Sequence, residues 1–186
     1  MTLAVLAVVL LPDLLGGGDP RQDRVAELRA AERARDAELT RELVGLAEAA
    51  RAKVVPVLGG LDEPAASTDR VAEWRAAVDA AAERFAARPS GGTAVNLARS
   101  GLAGAITTLG RAVEVYELAS TTGETADEAG ERSRALARSL RDDAVVAWSV
   151  AANQLDVAGI EAGIGHVHVF LPPRGLPGEL TEHGQG

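Results

Sequence analysis

The sequence predicts an all-α fold, an antiparallel up-down-up-down four-helix bundle with an apolar N-terminal segment and an extended C-terminal tail. Three observations carry that prediction. The first is the stretch from Thr93 to Ser120, where Val95, Leu102, Leu109 and Tyr116 recur every seventh residue. Ala98, Ala105 and Ala112 follow three places after the first three, and Ile106 and Val113 widen the seam into the broad stripe of a helix buried against several others. The second is composition. Only 3% of residues are aromatic and the apolar fraction is carried by Ala, Leu and Val, which suits closely packed helices better than a β-sandwich. The third is that four periodic stretches are separated by short connections with Gly, Pro, Ser or Thr, as in a bundle of sequence-adjacent helices.

At 186 residues the chain suits one domain with a substantial core. It divides into an apolar N-terminal segment (1–18), a four-helix bundle (19–159) and a tail (160–186) that is first extended and apolar, then polar. The expected helices cover about 19–55, 68–88, 93–120 and 125–158.

Taken in order, TLAVLAVVLL (2–11) is an unbroken apolar run followed by Pro12, Asp13, Leu14, Leu15 and three glycines. Its length and make-up match the apolar region of a signal peptide, although no Lys or Arg precedes it. It is short for a membrane span, which needs about 20 apolar residues. Export, membrane association through residues 2–15 and burial in the fold are the three readings it supports.

Asp19 and Pro20 form a helix start, N-cap followed by Pro at the first helical position. The first helix offers Val25, Leu28, Leu39, Leu43, Leu46, Ala50 and Val54 on one face and is expected to stop before Pro56. The charged stretch RAAERARDAELTRE (29–42) interrupts that stripe and reads as a solvated helix surface. VLGGLDEPAA (57–66) reads as a linker. Ser67 or Thr68 caps the second helix, whose face is Val71, Trp74, Val78, Ala81 and Phe85 and whose end is set by Pro89. Thr93 is expected to cap the third helix, and Thr125 with Glu128 to form a capping box for the fourth. That helix carries Leu136, Leu140, Ala144, Trp148, Ala151 and Leu155, with Val146 and Val150 as added apolar bulk. Beyond Gly159 the pattern changes to alternation at His166, Val167, His168, Val169, Phe170 and Leu171, the mark of an extended segment ended by Pro172 and Pro173.

An up-down-up-down order brings the start of the first helix and the end of the fourth to one pole. Both apolar appendages leave the bundle there. The candidate interaction surface is therefore Leu10, Leu11, Leu14 and Leu15 with Ile160, Ile164, Phe170 and Leu171.

Composition excludes several classes. A net charge of −8 opposes generic nucleic-acid binding, which needs a basic face, and is the wrong sign for an anionic membrane surface. Without cysteine there is no disulfide, thiolate ligand, thiol nucleophile or Cys-linked haem. Gly-x-Ser-x-Gly and Gly-Lys-Ser/Thr are both missing, and no Glu-x-x-His supports a di-iron bundle. His166 and His168 share one face of an extended segment and are the candidate metal ligands, with a third drawn from His183, Glu161, Glu179 or Glu182.

These residues read as a non-enzymatic structural or protein-interaction module without a cofactor, extracytoplasmic or membrane-associated. It would work through its apolar pole or by self-association with a protein partner or a second copy. The alternative is a small-molecule or metal-binding bundle that uses His166 and His168 or an interior lined by Trp74, Tyr116 and Trp148. A cytoplasmic setting is the alternative location.

Overall fold

Heptad seams drive four helices together, and the computed structural model describes them over residues 20–172 apart from 88, 90 and 122–127. The elements are α1 (Pro20–Gly60), α2 (Thr68–Glu83), α3 (Thr93–Thr121) and α4 (Glu128–Glu161). The chain is all-α, a four-helix bundle. Asp19, Arg88, Thr125, residues 1–18 and residues 173–186 lie outside the described residues, and with them the two N-terminal caps expected there. Leu10, Leu11, Leu14, Leu15, Glu179, Glu182 and His183 lie outside as well.

The chain forms two compact units, 1–34 and 35–186. In the first, residues 20–34 are helical and exposed on every side, so Val25 and Leu28, expected on an apolar face, are 45% and 58% exposed. Everything that follows concerns the second unit.

The seams close as their periodicity demands. Val95, Ala98, Leu102, Ala105, Ile106, Leu109, Ala112, Val113 and Tyr116 of α3 are all buried. They meet Leu43, Ala47, Ala50 and Val54 of α1, Val71, Trp74, Val78 and Ala81 of α2, and Ala144, Trp148, Ala151 and Leu155 of α4 in one core. Small residues let backbones approach. A Cβ on Gly101 would lie 2.8 Å from that of Ala151, so α3 and α4 pack backbone-close there. Gly104, three residues further on, faces open space instead. Gly60 at the end of α1 lies against the Trp74 indole near the start of α2, and Gly110 of α3 lies against Val78 of α2. The Arg141 guanidinium of α4 reaches Leu58 of α1. These contacts are compatible with helices that alternate in direction.

Three boundaries differ from expectation. Helix α1 does not stop before Pro56; it continues to Gly60. Pro56 and Ala52, the residue whose carbonyl loses its partner, are both exposed, so the break in the ladder falls on the solvent side of the helix. Val57, Leu58 and Leu61 are buried, and the apolar area they remove from water outweighs the local penalty. Helix α2 ends at Glu83, with Phe85 folded inward by a turn in which its amide donates to Ala82 at 3.0 Å. Thr93 is the first residue of α3 and not its cap. The amide before it, Gly92, donates to the Asp36 carboxylate of α1 at 2.8 Å, which places a negative charge at the α3 N-terminus. Ser67 does cap α2, its hydroxyl accepting from the Arg70 amide at 3.3 Å.

Helix α4 ends in a Schellman turn. Gly163 takes the left-handed conformation (φ 70°) and donates to Ile160 at 3.0 Å, while Ile164 donates to Gly159 at 2.9 Å. Gly165 (φ 97°) completes the reversal, and residues 166–172 then run back in extended form beside α4 and α1. Among the described residues no helix is long and apolar enough to cross a membrane.

Candidate functional sites on the bundle

The extended segment is bound to the bundle. The Val167 amide donates to Asp156 Oδ1 at 2.6 Å, the Trp148 indole N–H to the Val169 carbonyl at 2.7 Å, and Arg51 Nε to the Phe170 carbonyl at 2.7 Å. Alternation does the rest, with Val167, Val169 and Leu171 buried against the core and His166, His168 and Phe170 outward. Gly159 makes room, since a Cβ there would lie 2.8 Å from Val167 Cγ2. Leu171, expected on an interaction surface with Ile160, Ile164 and Phe170, is therefore a core residue only 6% exposed. The two imidazoles do share a face, stacked with centroids 6.1 Å apart and planes 11° from parallel. His166 Nδ1 faces both Asp156 oxygens at 3.2 and 3.3 Å. The Val167 amide first, and the His166 ring second, hold the Asp156 carboxyl below its ordinary value. Among the described residues no three His, Asp or Glu side chains converge in a way that could hold a metal ion.

Helix α4 carries a second seam on its outer face. Val146, Val150, Val157 and Ile160 are 64%, 59%, 47% and 50% exposed, and Ile164 follows at the turn. Their spacing of four, seven, three and four is the alternation of a coiled-coil face, and Asn153 occupies the missing position. Ile160 and Ile164 belong to the interaction surface that the sequence indicates. They are here one end of a stripe along α4.

Among the described residues two arginines are buried, and they differ completely. Arg141 is 4% exposed, and every arm of its fork is engaged: Nε with the Leu58 carbonyl at 3.0 Å, Nη2 with Asp62 at 3.2 Å and Nη1 with Asp142 at 2.9 Å. It closes the C-terminal end of α1, where a cation complements the helix dipole. Arg99 is equally buried, yet none of its three side-chain nitrogens has a hydrogen-bond partner among the described residues. It lies on α3 beneath a groove of about 490 Å³ walled by Phe85 and Pro89 and edged by Ser100, Ala103 and Gly104. By residue type alone Arg99 belongs at the surface of α3. A signal was present: Arg99, Ile106 and Val113 are spaced by seven, so the arginine holds a core position.

Compared with known protein families, with curated proteins and with solved structures, the chain matches none.

Proposed function

We propose that this protein is a non-enzymatic interaction module that pairs with a second copy of itself through the outward face of α4. The observation that carries this reading is the exposed stripe of Val146, Val150, Val157, Ile160 and Ile164 in coiled-coil spacing on a helix whose inner face is already satisfied by its own core.

The stripe favours a second copy as occupant because it is self-complementary. In an antiparallel pairing about a two-fold axis at Asn153, Val146 and Ile160, each seven residues from that asparagine, lie opposite one another, and Val150 lies close to Val157. The acidic ends support the same direction. A parallel pairing would place Asp142, Asp143 and Glu161 beside their own copies, whereas the antiparallel one separates them. Asn153 in the seam fixes register at some loss of stability.

We also place the module outside the cytoplasm or at a membrane, a reading supported by the signal-like apolar run at residues 2–11. Intact mass from the natural host tests it. Loss of the N-terminal segment or recovery with membranes supports it, and a full-length cytosolic chain overturns it.

Sedimentation equilibrium of the full chain tests the pairing. The expected result is a dimer for the wild type and a monomer of unchanged helicity for Val150→Asp combined with Val157→Asp. Both residues are exposed, so the variant tests association without disturbing the core. A wild-type monomer, or a dimer that survives both substitutions, overturns the proposal.

A further inference from the structure

We propose that the groove above Arg99 is a binding site and that it takes a small organic carboxylate with a flat apolar body. The argument begins with the arginine. A guanidinium carries five N–H donors and a permanent charge, and a fold that buries one normally surrounds it with acceptors, as this fold does for Arg141. Arg99 is 4% exposed and all three of its side-chain nitrogens lack a partner among the described residues. Burial of an unpaired charge is costly for a structural residue. It is the expected arrangement for one whose acceptor arrives with a ligand.

The surroundings say which ligand. Among the described residues that line the groove none is acidic, so no side chain of theirs competes for the fork. Among the described lining residues Arg99 is also the only cation, which suits one negative charge. A phosphate monoester carries nearly two and would call for a second. Pro89 gives one apolar side with the edge of the buried Phe85 behind it, and Ala103 with Gly104 leaves the other side without bulk, room for an aromatic or similarly planar body. A volume of about 490 Å³ is that of a small-molecule pocket. The carboxylate end accepts two parallel bonds from the guanidinium fork, and the Ser100 hydroxyl lines the same space as a further donor. The three nitrogens are covered by their neighbours, so engagement takes a change of rotamer along the flexible stem toward the open side of the groove. Gly104 marks that side, since a Cβ added there would meet nothing within 4 Å.

Thermal unfolding of the full chain at matched ionic strength tests the assignment with millimolar benzoate as the probe, and acetate and inorganic phosphate beside it. Benzoate is expected to raise the melting temperature in proportion to the logarithm of its concentration, with acetate and phosphate giving smaller shifts. Arg99→Met removes the charge at similar volume. Its benzoate shift is expected to vanish, while its melting temperature without benzoate rises above that of the wild type. Gly104→Leu keeps Arg99 and fills the groove, and its benzoate shift is likewise expected to vanish, so the test does not depend on how one variant folds. The proposal is overturned if benzoate leaves the wild type unmoved, if phosphate alone shifts it, or if the benzoate shift persists in both variants. It is also overturned if Arg99→Met lowers the melting temperature of the free protein, which would mean that an acceptor within the chain already serves the guanidinium.

Discussion

The indole N–H of Trp148 donates to the main-chain carbonyl of Val169 at 2.7 Å, and both groups are buried. That bond joins the middle of α4 to a segment that follows it by two tight glycine turns. It makes residues 166–172 a fifth strip of the core. A tryptophan read from sequence as apolar filler is thus also the polar anchor of the tail.

Replacement Trp148→Phe keeps most of the ring and deletes the donor, leaving the Val169 carbonyl buried without a partner. A loss of about 1–3 kcal/mol is expected in urea unfolding. Hydrogen exchange should localise the loss, with amides 167–171 exchanging faster and those of the α3 seam less affected. Uniform acceleration across the bundle would contradict an anchoring role.

The tail should also respond to acid. Asp156 accepts the Val167 amide and faces His166, and its carboxyl titrates below the ordinary 3.8. A carboxylate whose folded-state pKa is depressed contributes stability that is fully present above the unfolded value. That contribution is lost as pH falls below 3.8 and through the lowered one. The stability difference between wild type and Asp156→Asn should therefore be constant above about pH 5 and shrink on acidification below the ordinary value. A difference that does not change with pH would show that the charge of Asp156 contributes nothing.

The connection between α1 and α2 hangs on Tyr116. Its hydroxyl accepts from the Ala66 amide at 2.9 Å and donates to the Glu63 carbonyl at 3.0 Å, and its ring meets Trp74 edge-on at 5.4 Å. Tyr116→Phe should cost about 1 kcal/mol and loosen residues 61–67 without altering helix content. Burial raises the phenol above 10.0, so its stabilising contribution is complete below that pH and fades as pH rises through the raised value. Alkaline unfolding of the wild type and Tyr116→Phe, compared, reads the effect directly.

Two glycines of one helix should respond oppositely to alanine. At Gly101 the new Cβ would lie 2.8 Å from Ala151 Cβ and 3.6 Å from its Cα, and a backbone-borne neighbour cannot step aside cheaply. Gly101→Ala should lose about 1–3 kcal/mol to overpacking, more than helix propensity returns. At Gly104 there is no neighbour within 4 Å, and Gly104→Ala should gain up to about 1 kcal/mol from propensity alone. Paired chemical denaturation curves decide it; equal effects would mean that α3 and α4 are not in close contact at Gly101.

The sequence by itself determined the four helices, the buried seam of α3, the core face of α2, a cap for α2 at Ser67 or Thr68 and the alternation along residues 166–171. Each follows from a period or a local bond, and periods are written in the chain. It could not determine which apolar residues find a partner. Val146, Val150 and Val157 resemble core residues in type, and only the packed neighbours of α4 show that its inner face was already filled. Nor could it show that Pro56 lies inside a helix. That outcome depends on Val57, Leu58 and Leu61 reaching a core built by residues far along the chain, and on Pro56 falling on the wet side. The contrast between the two arginines is the clearest case. Arg141 meets the Leu58 carbonyl and Asp62, some eighty residues away, while Arg99 meets no acceptor among the described residues. Hydrogen bonds and burial act through space and are independent of sequence separation, so whether a charge is served or left waiting is decided only when the helices have packed.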